Sequence, residues 1–125
     1  TAADLSNEFG SLTGPYLRLG EIERRLRRCV HRMCSGTIED LRDATGNKKA
    51  KTIHGLVLGE IERVFKKPER WVRLGWGIRQ DTFVAQLEAV RRTRNDVAHF
   101  RPSPVTPQQR EQLYAFAGWL KDLVP

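Results

Sequence analysis

Apolar residues return every three or four positions through most of this chain, the signature of amphipathic helices. The first clear stripe is Ile22, Leu26, Cys29, Val30 and Met33. Thr13-Gly14-Pro15 ahead of it predicts a helix start with proline in the first turn. Residues 1–13 are therefore expected to be a linker or lead-in segment, and 14–125 the helical domain. The opposite face of this helix carries Arg18, Glu21, Arg24, Arg25, Arg27, Arg28 and Arg32. Glu21 to Arg25 and Glu23 to Arg27 are i,i+4 pairs in the favourable order. That face reads as solvated, with RNA contact as a second use.

Thr37-Ile38-Glu39-Asp40 resembles a capping box opening a short helix to about Ala44, and residues 46–51 are a polar, basic loop. A further helix is predicted over Leu56 to Lys67, with Leu58, Ile61, Val64 and Phe65 inward and Pro68 helping to end it. Trp71, Leu74, Trp76 and Ile78, punctuated by Gly75 and Gly77, form an aromatic connection whose tryptophans read as core plugs rather than base-stacking platforms. Asp81 is a suitable N-cap for the next stripe, which is Phe83, Val84, Leu87, Val90, Arg94, Val97 and Ala98. Thr106, with Pro107 next and Gln109 three residues on, opens a last helix. Its inward positions are Leu113, Phe116, Ala117, Leu120 and Leu123 or Val124. No alternating strand pattern appears. The expectation is an all-α, up-down bundle of four main helices plus a short one.

At 125 residues the chain is one domain. Its longest near-apolar run, Leu113 to Leu120, is interrupted by Gly118 and falls far short of the ~20 residues of a membrane span. The first ten residues lack the basic and apolar regions of a signal peptide, and the chain begins without Met, so a longer parent protein is expected. Lys and Arg total 22 against 15 Asp and Glu, a net charge of +7. An arginine-rich balance of this size suits phosphate, or marks a soluble domain of Arg-rich composition. Two cysteines are few for a small secreted domain, which points to a cytoplasmic protein. Five helical steps turn Cys29 and Cys34 about 140° apart, which disfavours a bridge. Cys29, His31, Cys34 and His54 include no CxxC pair, so packed thiols explain them better than a metal site. No metal or other cofactor is expected, and no GxSxG, P-loop or HExxH pattern is present.

The unusual stretch is Arg94-Asn95-Asp96-Val97-Ala98-His99-Phe100. Arg94 interrupts an apolar stripe, which is costly unless the charge is paired or used. Two uses are open. Arg94 could pair with a glutamate of the first helix while His99 caps a helix end. Alternatively, the two could act on a phosphodiester, the guanidinium gripping phosphate and the imidazole moving protons.

With Asn95 after the arginine, the Leu87–Arg94 approach and the Ala98-His99-Phe100 ending, this stretch resembles the HEPN superfamily, whose ribonuclease members carry R-x(4–6)-H. The resemblance implies a metal-independent endoribonuclease with Arg94, Asn95 and His99 catalytic: His99 the acid/base, Arg94 the phosphate binder, Asn95 the positioning group. Arg91, Arg92 and Arg101 flank the motif and would hold neighbouring phosphates. The 2′-OH of RNA is an internal nucleophile, so cleavage would leave a 2′,3′-cyclic phosphate and a 5′-OH, and DNA would not be cut. On a straight helix Arg94 and His99 lie about 140° and about 7.5 Å apart, too thin a site for one chain. A homodimer with both motifs at one interface matches the composite site the resemblance implies. The implied biology is bacterial defence or stress response, with a possible sensor domain on the N-terminal side. Phe100-Arg-Pro-Ser-Pro lacks the tyrosine of members controlled by nucleotidylation. A non-catalytic HEPN-like module for dimerisation or for nucleic-acid or protein binding is the alternative, and a DNA-binding helical domain a third.

Overall fold

Thirty-two residues of the chain, Ala2–Met33, form one helix, α1. After it come α2 (Ile38–Thr45), α3 (Leu58–Phe65), α4 (Pro68–Trp71), α5 (Gln80–Ala98) and α6 (Pro107–Leu123), with 3-10 turns at Ile53–Gly55 and Val72–Leu74. The computed structural model describes residues 2–98 and 105–125, and side chains at 14–97 and 105–125. Among the described residues the fold is all-α, with six α-helices and no strand. Three helices are long and two have eight residues, where four main helices and a short one were expected. None of these helices is long and apolar enough to cross a membrane.

The helix start expected at Pro15 is corrected: α1 runs through it. Proline removes only its own N–H from the ladder but strains the preceding turn. Packing against α6 offsets that strain. A Cβ on Gly14 would run into the Tyr114 hydroxyl, and the Arg18 guanidinium lies 5.3 Å over the Tyr114 ring. A side chain at Gly14 would have to displace the Tyr114 hydroxyl.

Local signals set the short helices. Thr37 Oγ1 accepts from the Asp40 N–H at 3.1 Å, but the Asp40 carboxylate turns away and accepts from the Ser35 N–H at 2.7 Å. Gly46, at φ 72°, closes α2 in the left-handed conformation that glycine adopts without steric cost. At α6 both halves of the capping box form: Thr106 Oγ1 accepts from the Gln109 N–H, and Gln109 Oε1 from the Thr106 N–H. Asp81 is not the cap of α5 but its second residue; its carboxylate pairs with Arg79 at 2.8 Å.

α1 lies along α6 and α3, and α5 against α3 and α6. Leu26, Cys29, Val30, Met33, Ile61, Val64, Phe65, Leu87 and Leu120 are fully buried where these faces meet. At one end an aromatic cluster forms around Phe83, which touches the rings of Phe65, Trp71, Trp76, Phe116 and Trp119. Trp71 is a core plug, as expected, and Trp76 is partly buried against the core.

The basic face of α1 is not merely solvated. Both predicted ion pairs form, Arg25 with Glu21 and Arg27 with Glu23. Four arginines also donate to backbone carbonyls of distant segments: Arg25 to Val124, Arg27 to Leu56, Arg28 to Pro125 and Arg32 to Leu74. These bonds strap the ends of other elements onto the long helix.

Candidate active site at the end of helix α5

The buried seam of α5 runs Phe83, Leu87, Val90, Thr93 and Val97. Thr93, not Arg94, takes the seam position. Its hydroxyl donates to the Ala89 carbonyl at 3.2 Å, so burying it leaves no orphan donor. A guanidinium there would cost far more. The expectation that Arg94 is an inward, buried charge is therefore corrected: its side chain lies at the seam's edge and is 42% exposed.

At that edge Arg94 meets α1. Its Nε lies 3.6 Å from Glu23 Oε1, while Glu23 Oε2 lies 3.5 Å from Arg27 Nη2. One carboxylate thus stands between two guanidinium groups. Tyr16, on the same face of α1 about two turns before Glu23, donates its hydroxyl to the Val97 carbonyl at 3.5 Å. Leu19, Gly20 and Val97 complete the wall of a cleft of about 260 Å³. Sites that enclose a small molecule usually offer about 300–1,000 Å³, so one chain supplies room for a phosphate and its immediate neighbours and little more.

Asn95 is exposed beside Arg94. Asp96 accepts from Gln109 of α6 at 3.0 Å, which ties the last turns of α5 to the start of α6. Arg92 is exposed and lies within electrostatic reach of Glu88. His99 and Arg101 lie outside the described residues.

Arg91, expected to flank the motif, reaches across to α3. Its Nε lies 2.9 Å from Oε2 of Glu62, whose side chain is only 6% exposed, while Arg91 itself is 34% exposed. Its charge is spent balancing a buried carboxylate on α3. Arg91→Ala is expected to lower the unfolding free energy by about 2 kcal/mol, between the figures for surface and fully buried pairs. Urea denaturation measures it; a change within about 0.5 kcal/mol would show the pair to be inconsequential.

The pairing of Arg94 with a glutamate of the first helix, one of the two uses open to it, is present, and the glutamate is Glu23; its other oxygen keeps the i,i+4 pair with Arg27. Tyr16 is the site residue that sequence reasoning missed. Nothing in the local pattern marks Tyr16 as a neighbour of residue 97.

Comparison with protein-family models, curated proteins and solved structures finds no match for this chain. The site must be read from its own chemistry.

Proposed function

We propose that this chain is a HEPN-type, metal-independent endoribonuclease domain, an up-down helical bundle acting as a homodimer on RNA. The observation that supports this most is the placement of Arg94 and Asn95. Both are accessible on the last turns of α5, and Arg94 borders a cleft too small to enclose a nucleotide alone. A second copy of the motif would complete the site.

In this reading the Arg94 guanidinium leaves Glu23 for the scissile phosphate, a stronger bidentate partner. One His99 takes the proton of the 2′-OH as its oxygen attacks phosphorus. The P–O5′ bond breaks, and the other His99 gives its proton to the leaving 5′-oxygen. Arg94 balances the charge that grows on the pentacoordinate phosphorus. Asn95 positions the imidazole or the phosphate, and Arg92 and Arg101 hold adjacent phosphates. The setting is cytoplasmic, in bacterial defence or stress response.

The test is labelled RNA incubated with the protein and EDTA. Wild type is expected to give 2′,3′-cyclic phosphate and 5′-OH ends and to leave the matching DNA intact. Arg94→Ala and His99→Ala are each expected to lose at least ~10²-fold in rate with unchanged circular dichroism. An inactive wild type, or active variants, would overturn the nuclease reading. The Glu23–Arg94 pair favours a second reading, a non-catalytic module in which Arg94 is structural. Retained RNA binding without cutting would select it.

A further inference from the structure

Most of the aromatic rings are already occupied. Phe65, Trp71, Trp76, Phe116 and Trp119 close around Phe83, and Tyr114 lies under the Arg18 guanidinium. Tyr16 is different. It is the most exposed of the described aromatic side chains, at 46%. Among the described residues no ring or guanidinium is laid over it.

Its place in the fold gives that ring a use. Tyr16 and Arg94 border one cleft, which Leu19, Gly20 and Val97 also line. The Tyr16 hydroxyl donates to the Val97 carbonyl at 3.5 Å, so the ring is tethered at its tip while its faces make no hydrogen bond. One turn along α1, a Cβ on Gly20 would meet only Arg24 Nη1, at an ordinary 3.6 Å. The space next to the ring is therefore unfilled. Glu23, the partner of Arg94, stands seven residues past Tyr16, about 10 Å along α1. A nucleotide whose phosphate takes the place of that carboxylate spans a comparable distance across its sugar and base.

We propose that Tyr16 is the platform on which the base of a nucleotide flanking the scissile phosphate stacks. The inference rests on the reading of Arg94 as a binder of RNA phosphate and adds a second contact to that same site. The cleft is too small to enclose a nucleotide, so the base lies at its mouth, on a ring that solvent already reaches. Guanidinium and ring then divide the work. Arg94 holds the charged linkage bidentately, and Tyr16 holds the flat, weakly polar base. Every base has a π face, so the platform tolerates most sequences, but the base has to be splayed from its own helix to use it.

The test is fluorescence anisotropy with a short adenylate strand whose 2′-oxygens are methylated, so that the proposed route cannot cut it. An abasic strand of the same length and charge is the comparison. Wild type is expected to bind the adenylate at least about tenfold more tightly than the abasic strand. Tyr16→Leu, which keeps an apolar side chain, is expected to lose most of that preference and to bind the abasic strand as wild type does. Tyr16→Phe, which keeps the ring and drops the hydroxyl, is expected to retain it. Gly20→Leu, which fills the space beside the ring, is expected to weaken the adenylate as Tyr16→Leu does. Equal binding of the two strands by wild type, equal losses in the leucine and phenylalanine variants of Tyr16, or an unaffected Gly20→Leu variant would each overturn the proposal. So would a change of oligomeric state on Tyr16→Leu, read by analytical ultracentrifugation, because it would assign the ring to a contact between copies. Cleavage is scored separately on unmodified RNA. A wild type that shows the base preference and cuts nothing ends the nuclease reading and leaves the platform standing. One that cuts with no dependence of KM on Tyr16 ends the platform alone.

Discussion

Replacing Phe83 with alanine is expected to lower the unfolding free energy by about 4 kcal/mol, within the range for large buried aromatics. Phe83 has no exposed surface. Its ring centroid lies 5.1 Å from that of Phe65, 5.4 Å from Trp71 and Phe116, 5.3 Å from Trp76 and 5.5 Å from Trp119. Those five rings come from α3, α4, the connection after it and α6, so Phe83 is where α5 locks to the rest of the bundle. Alanine would leave a cavity that five rigid rings cannot collapse to fill. The three tryptophans of the chain all border this ring, so their fluorescence reports the cluster directly. Urea titration followed by tryptophan emission and by circular dichroism should give coincident transitions, both shifted. Phe83→Leu, which keeps most of the volume, should cost only about 1 kcal/mol. A loss below about 1 kcal/mol for the alanine variant would mean that the rings do not pack as described.

Arg70→Ala is expected to cost about 3 kcal/mol, because it strands a paired carboxylate, while Arg73 still donates to the helix-end carbonyl of Met33 at 2.8 Å. Arg70 is buried. It grips both oxygens of Asp40, at 2.8 and 3.1 Å, and donates to the Met33 carbonyl at 3.0 Å. Met33 is the last residue of α1, where carbonyls have no partner in the helix. The bond to Asp43 adds little, since that carboxylate is largely exposed. Arg70→Lys should recover less than half of the loss, because an ammonium cannot make the bidentate contact. A loss under 1 kcal/mol for the alanine variant would sink this account.

The same cluster gives the acid limb of stability its sign. The Arg70 guanidinium, and then the Ser35 N–H, hold the Asp40 carboxyl well below the usual carboxylate range against the opposing effect of burial. The folded state therefore binds this proton later than the unfolded chain, whose Asp titrates near ~3.9. The stabilisation is complete above that value and is lost as pH falls through the lower, folded one. Asp40→Asn should flatten the unfolding free energy between about pH 4 and pH 2 relative to wild type, besides lowering it at neutral pH.

What the sequence made legible was local. Thr37 and Thr106 cap the helices they were expected to cap, because an N-cap needs only a hydroxyl and the N–H three residues on. The inward positions Leu58, Ile61, Val64, Phe65, Leu113, Phe116 and Leu120 follow from period alone. The all-α class follows from the same period. The misses are contacts across the chain. Residues 93 and 94 stand about 100° apart around α5, one three and the other four positions after Val90, so a stripe stepping by three or four could pass through either. The choice is made by a hydroxyl that can return to its own helix and a guanidinium that finds Glu23, 71 positions earlier. Arg91 looked like part of a basic flank because its carboxylate partner sits on another helix. Pro15 looked like a boundary because the packing of Tyr114 beside Gly14 is invisible from residues 13 to 15.

The straps that run from α1 to distant carbonyls change what the high isoelectric point means. Arg25, Arg27, Arg28 and Arg32 serve as rivets as well as charges, so a surface redesign that swapped them for glutamine to curb stickiness would loosen the joints of the molecule. Lys48, Lys49 and Lys51, which stand in the open, are where such an engineer should begin.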